Sequence, residues 1–202
     1  MLLNLFYILA AYLIGSFSSA VVVCKVMGLS DPREGGSNNP GATNVLRLHG
    51  KPAAIITLTG DLLKGLIPIL IGKALNVPDV VLASMGLAAF MGHLYPVFFG
   101  FEGGKGIATF IGVIFGTAWQ VGVAFMITWF VIAKLFKFSS LAALVGSLVS
   151  ILAVSYFLPP PYYLIAMIIM VIFIFWRHKV NIEKLVAGTE SKIGEKAAKT
   201  ED

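Results

Sequence analysis

Charge is scarce in this sequence of 202 residues: 12% are Asp, Glu, Lys or Arg, against 58% hydrophobic. Soluble domains carry about 25% charged residues, so 15 basic and 10 acidic side chains leave the exterior apolar. A water-soluble domain is excluded, and the bilayer remains as solvent. Cysteine is nearly absent. Cys24 stands alone, which excludes an intramolecular disulfide framework and any multi-cysteine metal site. The opening MLLNLFYILA has no basic n-region, so it does not read as a cleavable signal peptide, and the first helix is expected to stay. No inverted repeat of the transporter kind is visible. The net charge of +5 would suit nucleic acid, but the basic residues are scattered at the ends of apolar runs, where membrane topology explains them. No nucleic-acid partner is expected.

Uncharged stretches occupy residues 1–24, 80–101, 106–133 and 138–176. Several exceed the roughly 20 residues that cross a ~30 Å hydrocarbon core. Residues 2–24 read as the first span, followed by a polar Gly/Asn/Ser-rich segment over 28–51, with Pro52 where a helix would begin. Residues 53–72 form a second span interrupted by Asp61 and Lys64, and 79–100 a third that carries His93. Pro159, Pro160 and Pro161 divide 138–176 into two helices, because a proline run cannot continue a helix interior. Residues 106–133 make one tilted helix of about 42 Å or a hairpin of two short ones. Charge asymmetry selects the hairpin, turning near 116–120. With seven spans and the N-terminus outside, every Lys and Arg lies inside except Lys73, which is outside, and Lys64, within a span. Six spans give a much weaker bias. The expected fold is an all-α integral membrane protein, a polytopic bundle of seven transmembrane helices with a cytoplasmic C-terminus. Residues 1–193 form its single domain and 194–202 a polar tail.

In this topology the three most polar segments, 28–51, 100–106 and 177 onward, all face the cytoplasm. Chemistry gathered on one face reads as an enzyme or receptor, whereas transporters commonly bind substrate near the midplane. The first segment contains Gly35-Gly36-Ser37-Asn38-Asn39-Pro40-Gly41-Ala42-Thr43-Asn44-Val45-Leu46-Arg47. Small residues let backbone N–H groups converge on a guest, the Ser, Thr and Asn side chains add neutral donors, and Arg47 offers a planar fork suited to phosphate. An ordinary polar turn has the same composition, although the presence of only two acids, Asp31 and Glu34, favours an anion site. The second segment, Gly103-Gly104-Lys105-Gly106, directly precedes the apolar run from Ile107. Backbone donors at a helix N-terminus and an inward-reaching lysine make a phosphate cradle. A flexible glycine turn with an interfacial anchor fits equally well. It is not a Walker A loop, because glycine follows Lys105. The third segment begins Arg177-His178-Lys179-Val180-Asn181-Ile182-Glu183-Lys184. Contact with anionic lipid explains its lysines, but not His178, a base or donor near neutral pH, nor Asn181, which can orient a hydroxyl or phosphate.

Asp61 and Lys64 lie one helical turn apart and can neutralise each other, either lining a polar cavity or holding helices together. His93 is expected to hydrogen-bond a neighbouring helix, and Cys24 to be a buried structural thiol. Glu183 follows His178 by five positions, a near match to the His-x4-Asp pair of other acyltransferases. Five helical positions place such side chains on different faces.

Gly15-Ser16-Phe17-Ser18-Ser19-Ala20, the string from Ser37 to Arg47, Gly103-Gly104-Lys105-Gly106 with Ala108-Thr109, and the string from Arg177 to Leu185 with Gly188-Thr189-Glu190 occur in one order and spacing. Together they resemble the bacterial PlsY family of integral-membrane acyl-phosphate:glycerol-3-phosphate acyltransferases, over almost the whole chain. Ser191 departs from the proline expected in many members. The resemblance implies transfer of a fatty acyl group from acyl phosphate to the sn-1 hydroxyl of glycerol 3-phosphate, giving lysophosphatidic acid and phosphate. It implies glycerol 3-phosphate binding by Gly103, Gly104, Lys105 and Gly106, activity dependent on Ser37, Arg47, His178 and Asn181, and a structural Glu183. Asn38, Asn39, Gly41, Thr43 and Asn44 complete the expected substrate-binding set, with Thr43 and Asn44 beside the acyl phosphate. His178, oriented by Asn181, or a substrate phosphate is the base. No cofactor or metal is required, because acyl phosphate already has a good leaving group. The expected partners are the two substrates, membrane lipid and an upstream acyl-phosphate-producing enzyme, at the bacterial inner membrane with a cytoplasmic active site. The competing class is a small phosphate or anion transporter or a membrane anion-binding protein.

Overall fold

The structure, a computed structural model, describes residues 1–194. Lys196, Lys199 and the rest of the expected tail beyond residue 194 lie outside the described residues. Among those described, no strand occurs. The α-helices are α1 (Leu2–Gly15), α2 (Ser19–Val26), α3 (Ala42–His49), α4 (Lys51–Ala74), α5 (Asp79–Leu94), α6 (Ile107–Thr117), α7 (Trp119–Phe136), α8 (Ser139–Phe157), α9 (Tyr162–Arg177) and α10 (Lys179–Val186), with a 3-10 turn at Val97–Phe99.

The first span differs from the single run expected over 2–24. It breaks after Gly15, and α2 leaves at 46° to α1. The break lies in Gly15-Ser16-Phe17-Ser18-Ser19, where serine hydroxyls compete for backbone groups. Ser16 Oγ donates to the Tyr12 carbonyl at 2.8 Å. Pro52 lies in the first turn of α4 as expected. The 106–133 stretch divides at Ala118, inside the expected 116–120 turn, where one extended residue separates α6 from α7. The proline run separates α8 from α9.

Four helical stretches are long and apolar enough to cross a membrane: Lys51–Ala74, Asp79–Phe99, Trp119–Phe136 and Ser139–Phe157. The bent pairs α1 with α2 and α9 with α10 raise the number to six. With 11 residues, α6 reaches only about 16 Å. Large apolar side chains such as Phe6, Ile127, Phe130, Leu152, Ile172 and Trp176 are exposed on the outside of the bundle, the face a bilayer would cover.

Small residues set the closest helix crossings. A Cβ on Gly92 of α5 would run into the Tyr12 carbonyl of α1, and one on Gly15 into the Ala89 carbonyl of α5. Gly65 of α4 and Gly112 of α6 lie as closely against the Thr109 and Leu62 carbonyls. Such approaches let dispersion hold helices where lipid supplies no hydrophobic drive. Phe90, Phe110 and Phe125 fill the centre edge to face, with centroids 6.5 and 5.7 Å apart.

Polar contacts gather at the two ends. At one, Lys73 Nζ donates to the Thr117 carbonyl at 2.7 Å, and Tyr163 donates to Asp79 at 2.7 Å. These link the α4–α5, α6–α7 and α8–α9 turns. At the other, the Ile193 N–H reaches the Lys137 carbonyl at 2.7 Å and Arg33 reaches the Phe99 carbonyl at 3.4 Å.

Candidate active site

The segment between α2 and α3 folds around Asn44. Its amide nitrogen donates to the carbonyls of Pro32 and Gly35 at 2.8 and 3.0 Å, and its oxygen accepts the Ser37 N–H at 2.9 Å. At 1% exposure, this side chain is engaged by its own loop. Gly36, at φ +62°, leaves room for the Asn44 amide oxygen that a Cβ would strike. Ser37, Asn38, Thr43 and Arg47 are exposed, with Asn39 and Gly41 half-buried. Arg33 closes the loop on Asp31, Nη2 to Oδ2 at 2.7 Å, and its hydrogen bonds hold the Asp31 carboxyl below the ordinary carboxylate range.

The glycine segment is fixed from two sides. The Gly104 N–H donates to the His93 carbonyl at 3.3 Å. Arg177 donates from Nε to the Gly104 carbonyl at 3.0 Å and from Nη2 to the Gly103 carbonyl at 2.5 Å. Engaging these carbonyls fixes the loop that leads into α6. A Cβ at Gly103 would run into the His93 carbonyl, one at Gly104 into the His93 ring and one at Gly106 into Phe90, and Gly106 takes φ +87°. At Gly103 the obstacle is backbone, and at Gly104 and Gly106 a buried ring would have to shift.

Lys105 is half-buried, and its Nζ donates to Asn181 Oδ1 at 2.5 Å. Asn181 Nδ2 donates to Glu190 Oε1 at 2.7 Å, and Ser140 Oγ donates to the same oxygen at 2.6 Å. The glycine segment, α10, α8 and the chain after α10 therefore meet in one network. Burial pushes Lys105 below the ordinary lysine range; the charges of Arg177, Lys184 and Arg47 act the same way and Glu190 opposes them. A half-buried ammonium among cations is set to receive an anion.

His178, 3% exposed, caps α9. Its Nδ1 lies 2.8 Å from the Ile174 carbonyl, which only accepts, so Nδ1 carries the proton. In the neutral ring Nε2 is then the acceptor. Glu183 is exposed, and the His178 partner is this carbonyl.

The structure brings together the sequence-predicted Gly103, Gly104, Lys105, Gly106, His178 and Asn181. The first loop joins this end through Arg33, 3.9 Å from Glu102, through the Pro40 carbonyl beside Gly104, and through the charge of Arg47 felt at Lys105. Sequence reasoning missed Arg177, Glu190 and Ser140 as partners of this network. Arg177 and Glu190 stood within the resembling strings; Ser140 carried no signal.

The family model described as glycerol-3-phosphate acyltransferase matches residues 5–188. The chain is 53% identical over 186 residues to a glycerol-3-phosphate acyltransferase of Methylococcus capsulatus, covering 92% of this chain and 94% of the relative. It is 49% identical to one of Thioalkalivibrio sulfidiphilus, covering 97% of each. Among solved structures, it is similar to PlsY, an integral membrane glycerol 3-phosphate acyltransferase, in its glycerol 3-phosphate form, with a TM-score of 0.89, 38% identity and coverage of 95% of this chain and 96% of that one. The lysophosphatidic acid form of that protein gives a TM-score of 0.87 at 38% identity, covering 95% of each chain.

Proposed function

Because the chain belongs to the glycerol-3-phosphate acyltransferase family, we propose that it transfers a fatty acyl group from acyl phosphate to the sn-1 hydroxyl of glycerol 3-phosphate. The products are lysophosphatidic acid and inorganic phosphate. The observation that carries this reading is Lys105, half-buried and held by Asn181 at the mouth of a glycine loop whose carbonyls are clamped by Arg177. The similar PlsY protein captured with glycerol 3-phosphate and in a lysophosphatidic acid form supports the acceptor and product.

In this reading Lys105 with Gly103, Gly104 and Gly106 receives the glycerol 3-phosphate dianion. Arg47, Ser37, Asn38, Asn39, Gly41 and Thr43 take the acyl phosphate, whose chain lies along the apolar helices. Asn44 holds their loop instead of meeting substrate, because its amide is already engaged. The acceptor oxygen attacks the acyl carbonyl carbon and the bond from that carbon to the phosphate oxygen breaks. The hydroxyl proton passes to His178 Nε2 or to a substrate phosphate. Positioning and charge stabilisation supply most of the barrier reduction, because phosphate is already a good leaving group. Asn181, held by Glu190, orients Lys105.

The contacts at the two ends support seven crossings. Residues 33, 99–106, 137 and 177–193 are joined at one end, and 73–79, 117 and 163 at the other. Two crossings then separate each pair of successive loops at the site end, and α1 with α2 adds one. The positive-inside rule puts the site end in the cytoplasm and the N-terminus outside. The short α6 counts as a crossing. Residues 1–193 act as one domain of the bacterial inner membrane, supplied with acyl phosphate by an upstream enzyme. The family's acyltransferase activity sets the transporter alternative aside.

The test is phosphate release by purified protein given palmitoyl phosphate and glycerol 3-phosphate, with palmitoyl-CoA as the control donor. Release dependent on both substrates, with lysophosphatidic acid acylated at sn-1, is expected. Turnover with palmitoyl-CoA alone would overturn the donor assignment.

A further inference from the structure

Asp61, Lys64 and His93 have no part in the chemistry above, yet ionisable side chains inside a membrane bundle are costly to bury. None of the three is more than 6% exposed. Lys64 Nζ lies 2.8 Å from Asp61 Oδ1 and donates at 2.8 Å to the Phe17 carbonyl, within the break between α1 and α2. In an unbroken helix the N–H four residues on would take that carbonyl. The break frees it, and the ammonium satisfies it. On the other side of Asp61, His93 Nδ1 stands 3.7 Å from Oδ1, an electrostatic contact longer than a hydrogen bond. The Nε2 edge of the same ring lies against Gly104, whose N–H is taken by the His93 carbonyl. Thr109 Oγ1 donates at 2.9 Å to the Asp61 carbonyl, tying α6 to the same turn of α4.

A continuous path therefore runs from Phe17 through Lys64, Asp61 and His93 to Gly104. At one end is the break before α2, which leads into the first loop, and at the other the glycine loop. Gly103 and Gly104 have no side chains with which to pack, so their neighbours set their position: Arg177 through their carbonyls, His93 through its ring and carbonyl. An apolar core could hold the helices together equally well. It would supply no side chain standing between a carboxylate and this loop.

We propose that Asp61, Lys64 and His93 form a buried strut that fixes the 103–106 loop, and that His93 is the positioning residue through which the strut sets glycerol 3-phosphate affinity. The proposal rests on reading that loop as the phosphate site.

The test uses full-length protein in lipid nanodiscs, with both substrates varied and thermal unfolding followed alongside. His93→Ala is expected to raise the glycerol 3-phosphate KM about tenfold or more, leaving the acyl phosphate KM within about twofold. His93→Gln, whose amide can face Asp61 and still fill the space beside Gly104, restores most of the affinity. Gly104→Ala costs less affinity added to His93→Ala than added to wild type, because the ring it strikes is gone. A lower Tm and a smaller active fraction with both KM values unchanged would make the cluster a structural brace only and overturn the proposal. Should His93→Ala not fold, Gly104→Ala is compared in wild type and in His93→Gln: a smaller penalty beside the flexible glutamine supports the strut, and equal penalties overturn it. An unchanged glycerol 3-phosphate KM in Lys105→Met marks failure of the phosphate-loop reading, separately from these outcomes.

Discussion

Lys105 is surrounded by the charges of Arg177, Lys184 and Arg47, with Glu190 opposing them, and burial adds to the cost of its own charge. An anionic substrate needs the ammonium protonated, and a lowered pKa means the proton leaves earlier as pH rises. The alkaline limb of kcat/KM for glycerol 3-phosphate should thus fall at lower pH than an ordinary lysine would give. Lys105→Arg should move the limb upward, since a guanidinium keeps its charge. Lys105→Met should remove it and raise the glycerol 3-phosphate KM at least about tenfold. pH–rate profiles of the three proteins check this. Asn44 calls for a different measurement. Asn44→Ala leaves the Pro32 and Gly35 carbonyls and the Ser37 N–H without their partner, a loss of about 1–3 kcal/mol to the loop. Asn44→Asp should be worse, setting a carboxylate against two carbonyls. Faster proteolysis within residues 28–41, with a raised acyl phosphate KM and little change in Tm, is the expected outcome. In the sequence Asn44 looked like its neighbours Asn38 and Asn39, because composition gives a donor's type and not whether the fold has used it. Arg177 was hidden similarly: a basic residue after a span satisfies the topology rule whether or not it also clamps a loop.

Helix boundaries were readable where one force dominated. Proline at 159–161 ends α8 by backbone chemistry, and the Ala118 break followed from charge asymmetry at either end of an otherwise featureless stretch. The break between α1 and α2 was not readable, because a carbonyl freed in lipid needs a partner, and the one that takes Phe17, Lys64, comes from α4 and only in the folded bundle. The tight crossings were invisible for a related reason. Glycine in a span signals close approach without naming the partner. Gly92 meets α1 and Gly65 meets α6. Gly92→Leu should force α5 away from the Tyr12 carbonyl and cost about 3 kcal/mol or more. Gly28→Ala meets no neighbour and bears only the φ of +66°, about 1–2 kcal/mol. Thermal unfolding in detergent should rank them in that order, and equal losses would mean that backbone strain rather than helix approach governs both sites.

At the scale of the whole molecule, the question is how many times the chain crosses the bilayer and which end faces the cytoplasm. Seven crossings with the N-terminus outside put residue 78 outside, 134 inside and 159 outside. Six crossings, with residues 106–133 acting as one span, keep 78 outside but put 134 outside and 159 inside. Position 78 therefore reports orientation, and the sides of the other two relative to it report the count. Pro78, Lys134 and Pro159 are exposed, and the only native cysteine, Cys24, is buried. Single cysteines at these positions in a Cys24→Ser background should react with a membrane-impermeant maleimide in intact spheroplasts at 78 and 159. The residue at 134 should react only after lysis. The opposite pattern at 134 and 159 with 78 still labelled from outside would make α6 and α7 a single crossing. It would also separate Gly104 from Arg177 across the membrane, although Arg177 Nε donates to the Gly104 carbonyl at 3.0 Å. Retained acyl transfer in each variant ties the labelling to folded protein. The short α6 gives the outcome a physical reason: at about 16 Å it spans half the hydrocarbon core, so a crossing there draws the glycine loop at its N-terminus or the Thr117 turn at its C-terminus into the membrane. With the glycine loop as the end drawn in, the phosphate site sits below the headgroups, where an acyl phosphate in the bilayer can meet an acceptor arriving from water.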